Sequence, residues 1–330
     1  MSLNRKASVL FLICVGLFLM LSTALGFLGG ADPNLFYLLN SIAVSVPSFL
    51  IPALVFRRRN AMPRFEAPRG SLILLALGIG IGCIFLNQAL SCLTEVMLGD
   101  IRVISNSTTA DSIKSLHPIT MIAALALIPP VSEEFLMRGT LLESQRRLSP
   151  AGALIITSLL FGLLHAAPSS LLIYVGLGLL LGGVYIITGN VWLSVTVHLV
   201  NNLFSVIAAI IMQASEDLPG AAAAAEESAE LASNTGAYII MFFVYAGLAC
   251  AALIPLLKVL KNVCRRHSLG MYSPEAQAEA AAKAELPPEI RRLRTRTLLH
   301  DPVLWAAIIL LVILNVISGL IEFGVIRFAL

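Results

Sequence analysis

Charged residues are scarce in this chain. Lys, Arg, Asp and Glu together make up 12% of its 330 residues, whereas a soluble globular protein carries about 25%. Hydrophobic residues account for 58%, more than a single membrane anchor would supply. The composition excludes an ordinary soluble domain and indicates that most of the chain lies in a lipid bilayer.

Cysteine and concentrated positive charge are also limited. The five cysteines form no CxxC pair, so we expect neither a disulfide framework nor a cysteine zinc site. The net charge is only +3, and the basic residues fall between apolar segments instead of forming a stripe with aromatic residues. This pattern excludes a nucleic-acid-binding surface and is typical of the charges that orient a membrane protein.

Apolar stretches long enough to cross a bilayer recur along the chain. About 20 residues of helix are needed to span roughly 30 Å of hydrocarbon. Such stretches lie near residues 7–28, 35–56, 71–96, 118–144, 150–167, 169–187, 191–212, 238–260 and 302–326. We therefore predict an all-α, polytopic bundle of about nine transmembrane helices in the plasma membrane, or eight if the first stretch is a cleaved signal peptide.

The loops between these stretches differ in charge. Basic residues gather before the first stretch and at 57–69, 146–147 and 261–296, whereas the loop at 213–237 has five acidic residues and no basic one. Because basic loops stay in the cytoplasm, we expect a cytoplasmic N-terminus. Residues 221–234 favour a short helix outside, and residues 273–298 a cytoplasmic helix interrupted by Pro287 and Pro288.

We divide the chain into three parts. Residues 1–117 hold three spans, residues 118–212 hold four, and residues 213–330 hold two spans and a cytoplasmic loop near 261–301. An ionisable residue at membrane depth costs roughly 2.5–3.5 kcal/mol. Those that lie well inside apolar stretches all belong to the middle part, and they are Glu133, Glu134, Arg138, His165 and His198. The middle part is therefore where we expect the chemistry.

The two adjacent glutamates have different surroundings on their own helix. Glu134 and Arg138 are four residues apart, so they share a face and can form an ion pair. The Glu133 side chain points about 100° away from that of Glu134 around the helix axis and has no partner on that helix. Glu133 is therefore the better candidate for a general base. Pro129 and Pro130 lie one turn earlier, where they should free backbone carbonyls and favour a wet cavity beside Glu133.

Two other apolar stretches carry histidines. Phe161 and His165 share a face of the fifth stretch, as do His198 and Asn202 of the seventh. With a rise of about 1.5 Å per residue, both histidines reach a depth near that of Glu133, so the three can converge. Each histidine alone could simply bridge two helices, but together these residues indicate an active site. Gly178 and Gly182 form a GxxxG pattern that favours close helix packing.

These residues stand in three motifs: Glu133-Glu134-x-x-x-Arg138, Phe161-x-x-x-His165 and His198-x-x-x-Asn202. In this order and spacing they resemble the type II CAAX prenyl protease and bacteriocin-processing (CPBP) family of intramembrane proteases. The resemblance covers roughly residues 118–212. It implies that Glu133 and His165 activate a water, that His198 and Asn202 stabilise the oxyanion, and that Glu134 and Arg138 support the site.

The sequence leaves the need for a metal open. Glu133, His165 and His198 could bind Zn²⁺, with water as the fourth ligand. However, the chain has no HExxH motif, and a glutamate with two histidines on three helices is not a specific metal signature. A zinc-dependent and a metal-free mechanism both remain.

Three functions are compatible with this pattern. The leading one is a membrane-embedded endopeptidase whose substrate is a peptide or lipidated peptide in the bilayer, such as a prenylated C-terminal peptide or a bacteriocin leader. The motifs look like those of bacterial members of the family, which makes the prenylated peptide the less expected of these substrates. The second is a non-catalytic bacteriocin-immunity or scaffold protein with the same fold. The third is a transporter with a buried proton-coupled carboxylate, but such proteins usually contain an inverted repeat, and this sequence shows none.

Overall fold

The computed structural model describes residues 3–27, 32–56, 67–98, 116–146, 148–215 and 234–323. These residues are mostly helical, with no β-strand among them. In chain order the helices are α1 (Leu3–Phe27), α2 (Pro33–Phe56), α3 (Gly70–Leu98), α4 (Pro118–Gln145), α5 (Pro150–Leu164), α6 (Leu171–Thr188), α7 (Val191–Ser215), α8 (Thr235–Arg266), α9 (Pro274–Ala284), α10 (Pro288–Leu299) and α11 (Pro302–Glu322).

Eight of the described helices are long and apolar enough to cross a membrane, namely α1 to α4, α6 to α8 and α11. The prediction of an all-α, polytopic bundle is confirmed, and the chain is a multi-pass membrane protein. The fifth predicted span differs, because α5 ends at Leu164 after 15 residues. At about 1.5 Å per residue it covers about 22 Å, less than the roughly 30 Å of hydrocarbon. Most of the short helix predicted at 221–234 lies outside the described residues.

The end of α5 is held by the last helix of the bundle. Ala166 has a positive φ of 46°, and this turn leads the chain towards α6. The carbonyl of Leu163 accepts a 2.7 Å hydrogen bond from Asn315 Nδ2, and that of Ala166 accepts a 2.5 Å bond from Ser318 Oγ. The N–H and C=O groups of non-helical backbone at membrane depth must form hydrogen bonds with protein or water. Here the side chains of Asn315 and Ser318 on α11 supply these hydrogen bonds.

Helix α4 changes pitch on both sides of its proline pair. It is π-helical over Ile122–Leu127 and Phe135–Leu142, and α-helical over Ile128–Glu134 between them. Neither proline has an N–H, so the Leu125 carbonyl lacks a donor four or five residues further along its own helix. Asn202 Nδ2 on α7 donates to that carbonyl at 3.2 Å. The prediction that Pro129 and Pro130 free a backbone carbonyl is confirmed.

Glycines bring α5 and α6 together. A Cβ atom at Gly178 would lie 3.0 Å from Ser158 Cα, and one at Gly182 would lie 2.4 Å from Leu154 Cδ1. The contact at Gly178 is with backbone and is tighter than almost all real Cβ contacts, so the predicted close packing at this GxxxG pattern is confirmed. The same approach leaves the Gly178 carbonyl within reach of α4.

Helix α1 packs into the bundle at its first turns. Ala7, Phe11 and Cys14 are buried there. Ser8 Oγ donates a 2.7 Å hydrogen bond to Asp301, the residue that caps α11, and accepts a 3.4 Å bond from Gln145 at the end of α4.

The loop between α8 and α11 is folded. It contains α9 and α10, which are separated just before Pro288, so the predicted interruption at Pro287 and Pro288 is confirmed. Gly270, with a φ of +55°, lies against the turn between α6 and α7, where a Cβ atom would be 2.2 Å from the Ile187 carbonyl oxygen. Only glycine fits this approach, which fixes the start of the loop on the bundle.

Candidate active site

Glu134 stands between a cation and a histidine. Its Oε1 accepts a 2.8 Å hydrogen bond from Arg138 Nη1 and lies 3.0 Å from His198 Nδ1. Arg138 also donates to the Gly178 carbonyl at 3.0 Å. The side chains of Glu134 and Arg138 are 0% and 2% exposed. The predicted ion pair is confirmed, and it has a third member, because the same carboxylate orients His198.

Glu133 faces both histidines. Its Oε2 lies 4.0 Å from Nε2 of His165 and 4.0 Å from Nε2 of His198. This oxygen is buried and forms no hydrogen bond with any of the described residues. The structure therefore brings Glu133, His165 and His198 to one point, as the sequence predicted.

In each histidine, the hydrogen bond at Nδ1 determines whether Nε2 donates or accepts. His165 Nδ1 lies 2.8 Å from the Phe161 carbonyl, and a carbonyl only accepts, so Nδ1 carries the hydrogen. In the neutral ring, Nε2 then has a free lone pair towards Glu133. His198 has the Glu134 carboxylate at Nδ1, with the same consequence for its neutral form. Three acceptor atoms thus surround a space that suits the two hydrogens of a water molecule.

Aromatic rings hold the histidines in place. The Phe161 ring contacts His165 and His198 edge to face, with centroids 4.9 and 5.7 Å away, and the Arg138 guanidinium lies 4.6 Å above it. The Tyr174 ring on α6 stacks on His165, with centroids 3.8 Å apart. The Phe161 contact was predicted from the shared helix face. The Tyr174 contact was not, because it joins two helices and no spacing within one helix reports it.

Asn202 lies one turn beyond His198 and bonds the Leu125 carbonyl. Among the described residues it has no hydrogen bond with Glu133, His165 or His198. Its side-chain oxygen accepts from Asn201 Nδ2 at 3.3 Å, and Asn201 Oδ1 accepts from Asn87 Nδ2 on α3 at 2.6 Å. A chain of amides therefore orients Asn202. Sequence reasoning did not include Asn201 in the site, although it directly precedes Asn202.

A cavity of about 390 Å³ opens beside Glu133 and His165. Its walls come from α1, α2, α4 and the end of α5, and they include Pro129 and Leu125. The predicted cavity next to the proline pair is confirmed. Its size suits a few residues of a peptide in contact with the glutamate.

The geometry can be tested against a zinc site. Donors around tetrahedral zinc lie about 3.3 Å apart, given bonds of about 2.0–2.1 Å, whereas Glu133 Oε2 is 4.0 Å from each histidine nitrogen. No group of three His, Cys, Asp or Glu side chains in the described ranges is placed to hold a metal ion. At these separations the residues do not fit zinc.

Comparison with known proteins agrees with the motifs. Residues 115–204 match the family model described as type II CAAX prenyl endopeptidase Rce1-like. No curated protein and no solved structure matches the chain. The matched segment contains all three motifs, from Glu133 to Asn202, and confirms the resemblance drawn from them. Residues 115–204 are therefore similar to the Rce1-like family of type II CAAX prenyl endopeptidases.

Proposed function

We propose that the chain is an intramembrane endopeptidase of the plasma membrane that hydrolyses a peptide bond with a water activated by Glu133 and His165. One observation carries this proposal. Glu133 Oε2 lies 4.0 Å from Nε2 of His165 and 4.0 Å from Nε2 of His198, beside the cavity. A base close to an acceptor-lined water position is what amide hydrolysis requires.

The reaction begins with proton transfer to Glu133. The carboxylate takes one proton from the water while His165 Nε2 accepts the other hydrogen as a hydrogen bond and orients the molecule. The water oxygen forms a bond to the carbonyl carbon of the substrate. When the C–N bond breaks, Glu133 gives its proton to the leaving amine, which balances the reaction.

The negative oxygen of the intermediate needs donors. His198 supplies one from Nε2 when its ring is charged, and the Glu134 carboxylate, 3.0 Å from Nδ1, is the counter-charge for that form. The Asn202 amide has two hydrogens, of which the Leu125 carbonyl takes one. We assign the second to the oxyanion, because Leu125 itself lines the cavity.

The substrate is a peptide held at the membrane. The family match supports a CAAX endopeptidase, and the cysteine of a C-terminal CaaX sequence carries a prenyl chain. We therefore propose a lipidated C-terminal peptide first and an unmodified membrane peptide, such as a bacteriocin leader, second. Two fluorogenic peptides of one sequence, with a farnesylated and with a free cysteine, would distinguish these substrates.

The test is proteolysis by purified protein in detergent. Wild type, Glu133→Gln and the matched control Glu289→Gln, whose glutamate is exposed on α10, are compared on both peptides. We expect Glu133→Gln to lower kcat by roughly 10²–10⁴-fold, the usual contribution of a general base, and Glu289→Gln to leave it unchanged. Cleavage that survives Glu133→Gln would remove the proposed base.

The need for a metal is measured in the same assay. A strong chelator should leave the wild-type rate unchanged under the proposed mechanism. Loss of activity with the chelator, restored by Zn²⁺, would instead establish the zinc-dependent alternative with Glu133, His165 and His198 as ligands. A scaffold or immunity protein would cleave neither peptide under any of these conditions.

A further inference from the structure

One face of α2 forms a wall of the active-site cavity. The residues on it are Tyr37, Asn40, Ser41, Val44, Ser45 and Ser48. Their spacing of three and four places them along one side of the helix. Five of the six are polar, which is unusual for a helix in lipid. This face lies outside the segment that matches the family model.

Ser41 has a hydroxyl without a partner among the described residues. Its Oγ is buried in the cavity wall. A serine in a helix commonly bonds back to the carbonyl four residues earlier, as Ser48 does to Val44 at 2.9 Å. Ser41 makes no such bond. Because an unsatisfied buried polar group costs about 1–3 kcal/mol, this hydroxyl is suited to a polar group that enters the cavity.

Asn40 is the second polar group of the wall. Ser22 Oγ on α1 donates a 2.6 Å hydrogen bond to Asn40 Oδ1. That bond fixes the orientation of the amide and leaves its NH₂ group as a donor. Asn40 and Ser41 thus present two donors side by side on the cavity wall.

The wall is also tied to the catalytic helix. Ser45 Oγ donates a 2.9 Å hydrogen bond to Ser132 Oγ, and Ser132 directly precedes Glu133. Ser132 is buried and bonds back to the Pro129 carbonyl at 3.1 Å. The distance between the α2 wall and the Glu133 carboxylate is therefore held by a direct side-chain contact.

We infer that Asn40 and Ser41 bind the peptide backbone of the substrate beside the scissile bond. This inference rests on the proposed function. Each residue of an extended peptide carries a carbonyl acceptor and an N–H donor, which suit the Asn40 amide and the Ser41 hydroxyl. A lipid chain has neither group and would leave both unsatisfied. The α2 wall thus binds peptide, with Glu133 and His165 facing the bond to be broken.

Kinetics on the farnesylated fluorogenic peptide tests the inference. Ser41→Ala should raise KM by roughly fivefold, which corresponds to one net hydrogen bond of about 1 kcal/mol, with kcat within about twofold. Ser41→Thr keeps a hydroxyl and should restore KM. Ser215→Ala on α7 is the matched control, because the Ser215 hydroxyl bonds the Met212 carbonyl of its own helix at 2.8 Å and is not part of the cavity wall, and it should leave KM unchanged. An unchanged KM in Ser41→Ala, or a loss in kcat alone, would overturn the role.

A binding assay separates this inference from the proposed function. The same peptide is titrated by fluorescence anisotropy onto Glu133→Gln and onto Glu133→Gln/Ser41→Ala. A roughly fivefold weaker Kd in the double variant would support the peptide wall even if the wild type cleaved nothing. Equal Kd values would overturn it even if cleavage by the wild type confirmed the protease.

Discussion

The side-chain amide of Asn315 on α11 donates a 2.7 Å hydrogen bond to the carbonyl of Leu163, two residues before His165. The same amide nitrogen bonds the Leu311 carbonyl of its own helix at 2.8 Å. The last helix of the bundle therefore fixes the turn that presents His165 to Glu133. Asn315 touches no reacting atom and acts as a positioning residue.

Replacing Asn315 should weaken both the fold and catalysis. Asn315→Leu keeps the size of the side chain but removes the donor from α11 and leaves the Leu163 carbonyl only its 3.1 Å bond from the Ala166 N–H, a loss of about 1 kcal/mol. We expect a lower Tm and a kcat reduced by roughly tenfold for the folded protein, with KM little changed. The control Val316→Ala changes a side chain that is 56% exposed and should alter neither. Full kcat in folded Asn315→Leu would show that the turn does not depend on α11.

Removing the charge of Glu134 or of Arg138 alone should destabilise the protein more than removing both charges together. Glu134→Gln leaves Arg138 charged and Arg138→Met leaves Glu134 charged, and breaking a buried pair in this way costs about 3–5 kcal/mol. The double variant leaves neither charge and should have a higher Tm than either single variant. Its activity should stay low, because His198 has lost the carboxylate at Nδ1. Thermal unfolding in detergent and the cleavage assay measure the two effects.

A matched pair elsewhere gives the reference for that experiment. Glu143 and Arg146 form an ion pair at the end of α4 with side chains that are 15% and 30% exposed. Arg146→Met should cost less than either single change at Glu134 or Arg138, because both side chains of this pair still reach solvent. A double variant at Glu134 and Arg138 that unfolds as early as the singles would contradict the ion-pair interpretation.

The two roles of Asn202 can be separated through Pro129. Asn202→Ala removes the donor to the Leu125 carbonyl, and Pro129→Ala supplies a backbone N–H four residues along the same helix. We expect the double variant to regain most of the Tm lost in Asn202→Ala but little of its activity, because the oxyanion donor is still missing. Recovery of activity together with stability would mean that Asn202 only satisfies the Leu125 carbonyl.

The stack of Tyr174 on His165 should depend on the ring and not on the hydroxyl. Tyr174→Phe keeps the 3.8 Å stack and should retain kcat within about threefold. Tyr174→Leu removes it, and since aromatic pairs contribute about 0.5–1.5 kcal/mol, we expect kcat to fall by roughly three- to tenfold. If the two variants had equal rates, the ring would have no part in positioning His165.

Relationships within one helix were predictable from sequence, because helix geometry alone determines them. The pairs Glu134 with Arg138 and Phe161 with His165 follow from a spacing of four residues, and both contacts are present. The contact of His198 with Glu134 was not predictable, since it joins residues 64 positions apart. Periodicity reports which face a residue lies on, but not which neighbouring helix meets that face.

The end of α5 shows a second limit of sequence reasoning. The segment His165-Ala166-Ala167 is compatible with a continuing helix, and hydropathy alone extended the span to 167. The helix ends earlier because Asn315 and Ser318, on a helix far along the chain, satisfy the exposed carbonyls. The cavity residues of α2 were missed for a similar reason. The cavity exists only where α1, α4 and α5 pack beside α2, and the sequence of α2 does not report that packing.

The hydrogen bonds from α3 and α11 also limit which part of the chain can be exchanged between related proteins. Asn87 reaches Asn201, and Asn315 reaches Leu163, in each case from a helix outside the matched segment 115–204. A chimera that moved only this segment onto foreign helices would remove the hydrogen bonds that Asn201 and the Leu163 carbonyl accept from other helices. Swaps between relatives should therefore preserve a polar residue at the positions of Asn87 and Asn315, or carry the first three helices and the last one along with the motifs.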